Sequence, residues 1–179
     1  MSQLVAETWL RRCTNSRLAS STINSLRSVL ERVIADWMPL LSRAASCQCS
    51  ADCLREQLHR LVPVGARAPT LPSGADMAIS RVKMERRLEP VRLSDSCLQV
   101  TCSVLDSLAR LMVQQANWRR TRQQRSMLES DDMTAALYLL HAAAISTVTS
   151  RDDAAAPVSR CMLESATAAI DVLAEDDDV

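Results

Sequence analysis

The residues best placed to do chemistry in this chain are arginines. Arg119, Arg120, Arg122 and Arg125 fall within seven residues that hold no acid, and Ser126 follows directly. Arginine presents a planar fork of donors that matches the oxygens of phosphate or carboxylate. The pattern therefore points to holding an oxyanion, not to making or breaking bonds. All but one of the 21 basic residues are Arg, Lys83 being the exception. Genome base composition accounts for an arginine bias equally well, and arginines at a helix carboxy-terminus also suit the helix dipole.

Other chemistries have little footing. Cys47, Cys49 and Cys53 with His59 invite a zinc reading, but C-x-C is not the usual knuckle and no second pair follows at ribbon spacing. Small apolar cysteines around a helix start are the plainer account, so neither metal nor cofactor is expected. Seven cysteines, no secretory leader and no apolar run of transmembrane length indicate a reducing, intracellular setting without membrane attachment. His59 and His141 lie in helical patterns, far from any nucleophile elbow. Gly-rich phosphate loops and HExxH are missing, and no carboxylate spacing implies acid–base work. The chain reads as a non-enzyme. With 21 basic and 21 acidic residues, bulk charge draws no polyanion; only its distribution can.

The elements that must position these arginines read as helices. There is no Phe, one Tyr and only two Gly, while Ala, Leu, Met and Arg dominate. That balance favours helix over strand. Both glycines and three of the six prolines fall in VPVGARAPTLPSG, residues 62–74, the one clear linker. It separates a first half, 1–61, from a second, 76–179, with the linker spanning 62–75. Each half reads as short helix, long helix, short helix.

In the first half VAETWLRR forms the short helix. A long one runs from about Ser21 with Ile23, Leu26, Leu30, Val33, Ile34, Trp37 and Leu41 on one stripe. Pro39 is expected to kink or weaken its last turn. Ser50 caps a third helix carrying Leu54, Leu58 and Leu61. In the second half, Met77 to Leu88 is the short helix, ended by Glu89-Pro90. Ser94 or Asp95 caps a long helix with Leu98, Cys102, Leu105, Leu108 and Met112, reaching about Arg120. A third helix starts near Ser130 with Asp131 and Asp132 in its first turn, and Met133, Ala136, Leu137 and Leu140 inside. One more follows Pro157. A long helix flanked by two short ones cannot bury its stripe alone, so the two halves are expected to pair, their long helices crossing.

These residues resemble core histones. RLSDSCLQVTCSVLDSLARLMVQQANWRRTRQQRSMLESDDMTAALYLL, residues 92–140, resembles the histone fold of histone 2B without a gap. CMLESATAAIDVL resembles that histone's extra carboxy-terminal helix, so the likeness extends over 92–173. Residues 10–60 resemble histone 2A through the Leu-Arg-Arg start at Leu10, the loop Arg17, Val29-Leu30-Glu31 and the Ala-Ala ending; part of this helix is nearly as similar to histone 4. Histones 2A and 2B pair with each other. The resemblance therefore implies an all-α histone doublet, two tandem histone folds paired within one chain, plus a C-terminal helix. The departures are a second loop, SCQCS, without basic residues, Asp95 near a phosphate position, an insertion at 141–156, no Lys-rich tails and an acidic EDDD ending.

On family grounds the doublet contacts double-stranded DNA without sequence specificity and joins a histone 3 and 4 type pair in a chromatin or nucleosome-like particle. The setting is then the nucleus, or a virion or viral factory, since fused histones are known in large DNA viruses. The implied DNA-contacting residues are Arg17, Arg119, Arg120, Arg122, Arg125 and Ser126. Their loop side chains are expected to point outward, with Arg17 near Arg125. Glu31, Asp36 and Glu164 match members of an acidic patch that docks partner arginines, and Pro39 replaces another acid there. The alternative is a histone-fold subunit of a transcription or chromatin complex, similar to TATA-binding-protein-associated factors, which mainly binds protein. A helical adaptor without a DNA role is a third reading.

Overall fold

The computed structural model describes residues 5, 7–14, 17–62 and 78–136. The linker beyond Val62, the 141–156 insertion, the helix after Pro157 with Glu164, and the acidic tail lie outside them. The described chain is all-α in class, with one short two-stranded pairing. Its elements are α1 (Glu7–Thr14), β1 (Arg17–Leu18), α2 (Ser20–Ser46), α3 (Ala51–Leu61), α4 (Arg81–Leu88), α5 (Asp95–Arg122) and β2 (Met127–Leu128). A further helix, α6, is described over residues 130–136.

Local chemistry explains most boundaries. Ser50 Oγ accepts the Cys53 N–H at 3.2 Å and Ser94 Oγ the Cys97 N–H at 3.4 Å, so α3 and α5 begin at side-chain caps. The two long helices end alike. At α2, Gln48 takes a left-handed φ of 49° and the Cys49 N–H returns to the Ala44 carbonyl. At α5, Gln124 has φ 55° and the Arg125 N–H returns to the Arg120 carbonyl. Both are Schellman closures, with Gln at the position that glycine usually fills. Pro39 does not break α2, which continues to Ser46. The proline costs one hydrogen bond on the exposed side, while Leu41 and Ala44 bury the turns beyond it.

The short helices begin later than the sequence implies. Val5 forms an antiparallel bridge with Ile79 instead of opening α1. The Ala78 N–H is held by the buried carboxylate of Asp106, which also accepts Arg110 Nε at 2.7 Å. These tethers keep residues 78–80 extended, and α4 starts at Arg81 instead of Met77.

The helix α5 is the hub. α1, α2, α3 and α4 all pack on it, and buried residues from both sides of the linker form one core. Leu26, Leu30, Leu41, Leu54 and Leu58 meet Met84, Leu88, Leu105 and Met112 in that core, all fully buried. Each such Leu stabilises by about 1.5–3 kcal/mol. α5 is long and apolar enough to cross a membrane by length and composition, but 67% of its most apolar window is buried inside the protein. It is a core helix.

Candidate nucleic-acid interface

The arginine loop is built where α5 ends. The Schellman closure turns the chain at residues 123–125, and β2 then runs parallel to β1, pairing Arg17 with Met127 and Leu18 with Leu128. The pairing continues into α2. Ala19 N–H donates to the Leu128 carbonyl at 3.1 Å, and Thr22 Oγ1 donates to the same oxygen at 2.8 Å. The start of α2 has no side-chain cap and no acid in its first turn, and Ser20 and Ser21 are exposed. An uncapped helix start presents free amides and positive dipole. One edge thus unites Arg17 from the first half, the 119–126 segment from the second, and the start of a 27-residue helix.

The arginines at this edge divide into two sets. Arg17 is exposed, as is Arg122, whose guanidinium lies 4.8 Å from the centre of the half-exposed Trp118 ring. Ser126 is exposed beside them. Arg119, Arg120 and Arg125 are partly buried and committed to the protein. Arg120 Nε donates to Asn117 Oδ1 at 3.0 Å and its Nη1 to the Arg125 carbonyl at 2.8 Å, tying the loop to the helix. Arg125 reaches Glu129 at 2.8 Å, Gln123 Oε1 at 2.6 Å and the carboxylate of Asp132.

Asp132 corrects the expectation that the loop arginines all point outward. Its side chain is fully buried, accepts the Glu129 N–H at 3.1 Å, and lies 3.7 Å from Arg119 as well. Two guanidinium groups therefore share one buried carboxylate. Arg119 Nε and Arg125 Nε are buried without a hydrogen-bond partner among the described residues. A carboxylate in a helix's first turn was expected to serve its own amides; it does so through Glu129 N–H while also drawing the arginines inward. Five arginines against Glu129, Asp131 and Asp132 still leave the edge positive, with the free charge concentrated on Arg17 and Arg122.

The far end of α5 differs. A 28-residue helix puts it roughly 40 Å away. There Asp95 stands in the first turn, ion-paired with Arg81 at 2.5 Å, and the adjoining turn 47–50 holds no basic residue.

Two of the three acidic-patch residues fall within the described chain. Glu31 is exposed on α2, Asp36 pairs with Arg32 at 3.7 Å along the same helix, and Glu164 lies outside the described residues. Among the described residues no group of three or more Cys, His, Asp or Glu is placed to hold a metal. Sequence reasoning placed Asp132 in the first turn of its helix but not against Arg119 and Arg125, and it missed Trp118, which nothing local marked except its i,i+4 spacing to Arg122. Scanned against protein-family models and compared with curated proteins, the chain gives no match.

Proposed function

We propose that this chain is a DNA-binding histone doublet: two tandem histone folds, 1–61 and 76–179, paired through α5, that hold duplex DNA by its phosphates. The observation that carries this reading is the parallel pairing of Arg17–Leu18 with Met127–Leu128. It brings loop arginines from opposite halves to one uncapped helix start, and both features favour a phosphate. Such contacts carry no base information, so binding is indifferent to sequence. The natural companions are other histone-fold proteins of the histone 3 and 4 type, in a nucleosome-like particle.

The second reading, a histone-fold subunit that mainly binds protein, draws on the far end of α5, where an acid occupies the helix start. A salt titration separates the two. DNA affinity held by phosphate contacts falls steeply with salt, and replacing both Arg17 and Arg122 by Ala lowers the slope of log K against log salt by about two units. These two are exposed, so the fold is retained. Absent duplex binding at moderate salt, or a slope unchanged in the double variant, favours the protein-binding subunit.

A further inference from the structure

The far end of α5 carries a chemistry that the arginine edge does not. Four of the thiols meet there, where α2 turns into α3: Cys47, Cys49, Cys53 and Cys97. Their backbones are held in place. The Cys49 N–H closes α2 on the Ala44 carbonyl at 3.1 Å, and the Cys49 carbonyl accepts Cys97 Sγ at 3.3 Å. The Cys53 N–H is fixed by the Ser50 cap, and its sulfur accepts Gln57 Nε2 at 3.4 Å. Between these anchors the Cys49 thiol donates to the Ser50 carbonyl at 3.5 Å, so Ser50 holds Cys49 through its carbonyl and Cys53 through its hydroxyl at the start of α3. Hydrogen bonding with Cys53, then burial and the neighbouring thiols, push the Cys49 thiol up from its ordinary pKa. Cys53 is exposed and Cys49 partly so, whereas Cys97 is buried.

We propose that Cys49 and Cys53 are a peroxide-sensitive thiol pair that closes reversibly to a disulfide across the start of α3. The exposed Cys53 sulfur attacks one peroxide oxygen. The O–O bond breaks, the second oxygen leaves as water after taking a proton, and Cys53 becomes a sulfenic acid. The Cys49 sulfur, its proton given up to solvent, then attacks Cys53 sulfur. The S–O bond breaks and hydroxide departs as a second water. Two thiols and one hydrogen peroxide thus yield one disulfide and two waters. Juxtaposition favours this partner over the other thiols. Cys97 is engaged with the Cys49 carbonyl, while Cys47 lies on the other side of the left-handed Gln48.

The test uses the full-length reduced chain treated with hydrogen peroxide, alkylated with iodoacetamide and cleaved after arginine. Residues 44–55 form one peptide containing Cys47, Cys49 and Cys53. The expected product carries one alkyl group, on Cys47, and has lost two hydrogens; prior reduction restores three alkyl groups. In Cys49→Ser the disulfide is lost and Cys53 proceeds to sulfinic acid, while Cys97→Ser leaves the pair intact. A bridge that uses Cys47 or Cys97, a chain-to-chain crosslink, or sulfinic acid on Cys53 in the unaltered chain overturns the proposal. So does full alkylation of all three cysteines after peroxide treatment.

Discussion

Replacing Arg125 by Ala separates a loop arginine that merely faces solvent from one that holds the loop in place. An exposed loop arginine changes stability by only about 0.5 kcal/mol. Arg125, however, is 28% exposed and faces a carboxylate that is 0% exposed. Its loss removes the contacts to Glu129, Gln123 and Asp132, leaving Asp132 with the Glu129 N–H and Arg119 at 3.7 Å. Removing one partner of a fully buried pair costs about 3–5 kcal/mol. Arg119 remains nearby and Arg125 is partly solvated, which brings the expected cost to roughly 2–3 kcal/mol. For a chain of this size that lowers Tm by about 5–10 °C. Urea denaturation followed by far-UV circular dichroism reads the change. Adding Asp132→Asn removes the stranded charge, so Arg125→Ala/Asp132→Asn should recover at least half of the loss. A cost for Arg125→Ala near about 0.5 kcal/mol, or a double variant no better than the single, refutes the shared-carboxylate account.

Three further outcomes follow from the packing and the backbone. Gln124→Gly relieves a left-handed side-chain residue at the end of α5, and should raise stability by about 0.5 kcal/mol after the glycine's greater unfolded freedom is counted; an unchanged or lower urea midpoint counts against it. A chain ending at residue 62 lacks α5, on which α1, α2 and α3 all pack, so it should show no cooperative unfolding; a monomer with a sharp thermal transition would remove the reason for pairing the halves. Burial, outweighing the nearby Arg81, pushes the Cys102 thiol from its ordinary 9.0 up to about 12. Because the folded state keeps the neutral thiol, its stabilisation is complete below about pH 9 and is lost as pH rises towards 12. Cys102→Ala should flatten that alkaline decline, and an unaltered profile would show that the thiol contributes nothing to it.

Much of the fold is legible in particular residues. The α2 stripe of Ile23, Leu26, Leu30, Val33, Ile34, Trp37 and Leu41 is buried as its spacing implies, and so is Leu98, Cys102, Leu105, Leu108 and Met112 on α5. Ser50 and Ser94 cap where their types suggest. These are short-range matters, set by helical period and by a hydroxyl three residues from an amide. The arginine-rich segment and the loop at its end are equally visible, because charge runs and helix ends are written locally.

What tertiary structure decided is which face meets what. Val100, Thr101, Val104, Ala109, Val113 and Ala116 are buried on α5 besides its stripe, because helices from both halves surround it. A two-residue pairing such as Arg17–Leu18 with Met127–Leu128 has no periodicity to read; it exists because the packed helices bring two loop ends within backbone hydrogen-bond reach. The same closure drew Asp132 into the core and turned Arg119 and Arg125 towards it, leaving Arg17 and Arg122 as the free charges of the edge. Sequence alone determined that Arg119, Arg120, Arg122 and Arg125 cluster at the end of one helix. Desolvation of one carboxylate determined which of them remain available, since a buried charge must find its partners before solvent or a ligand can.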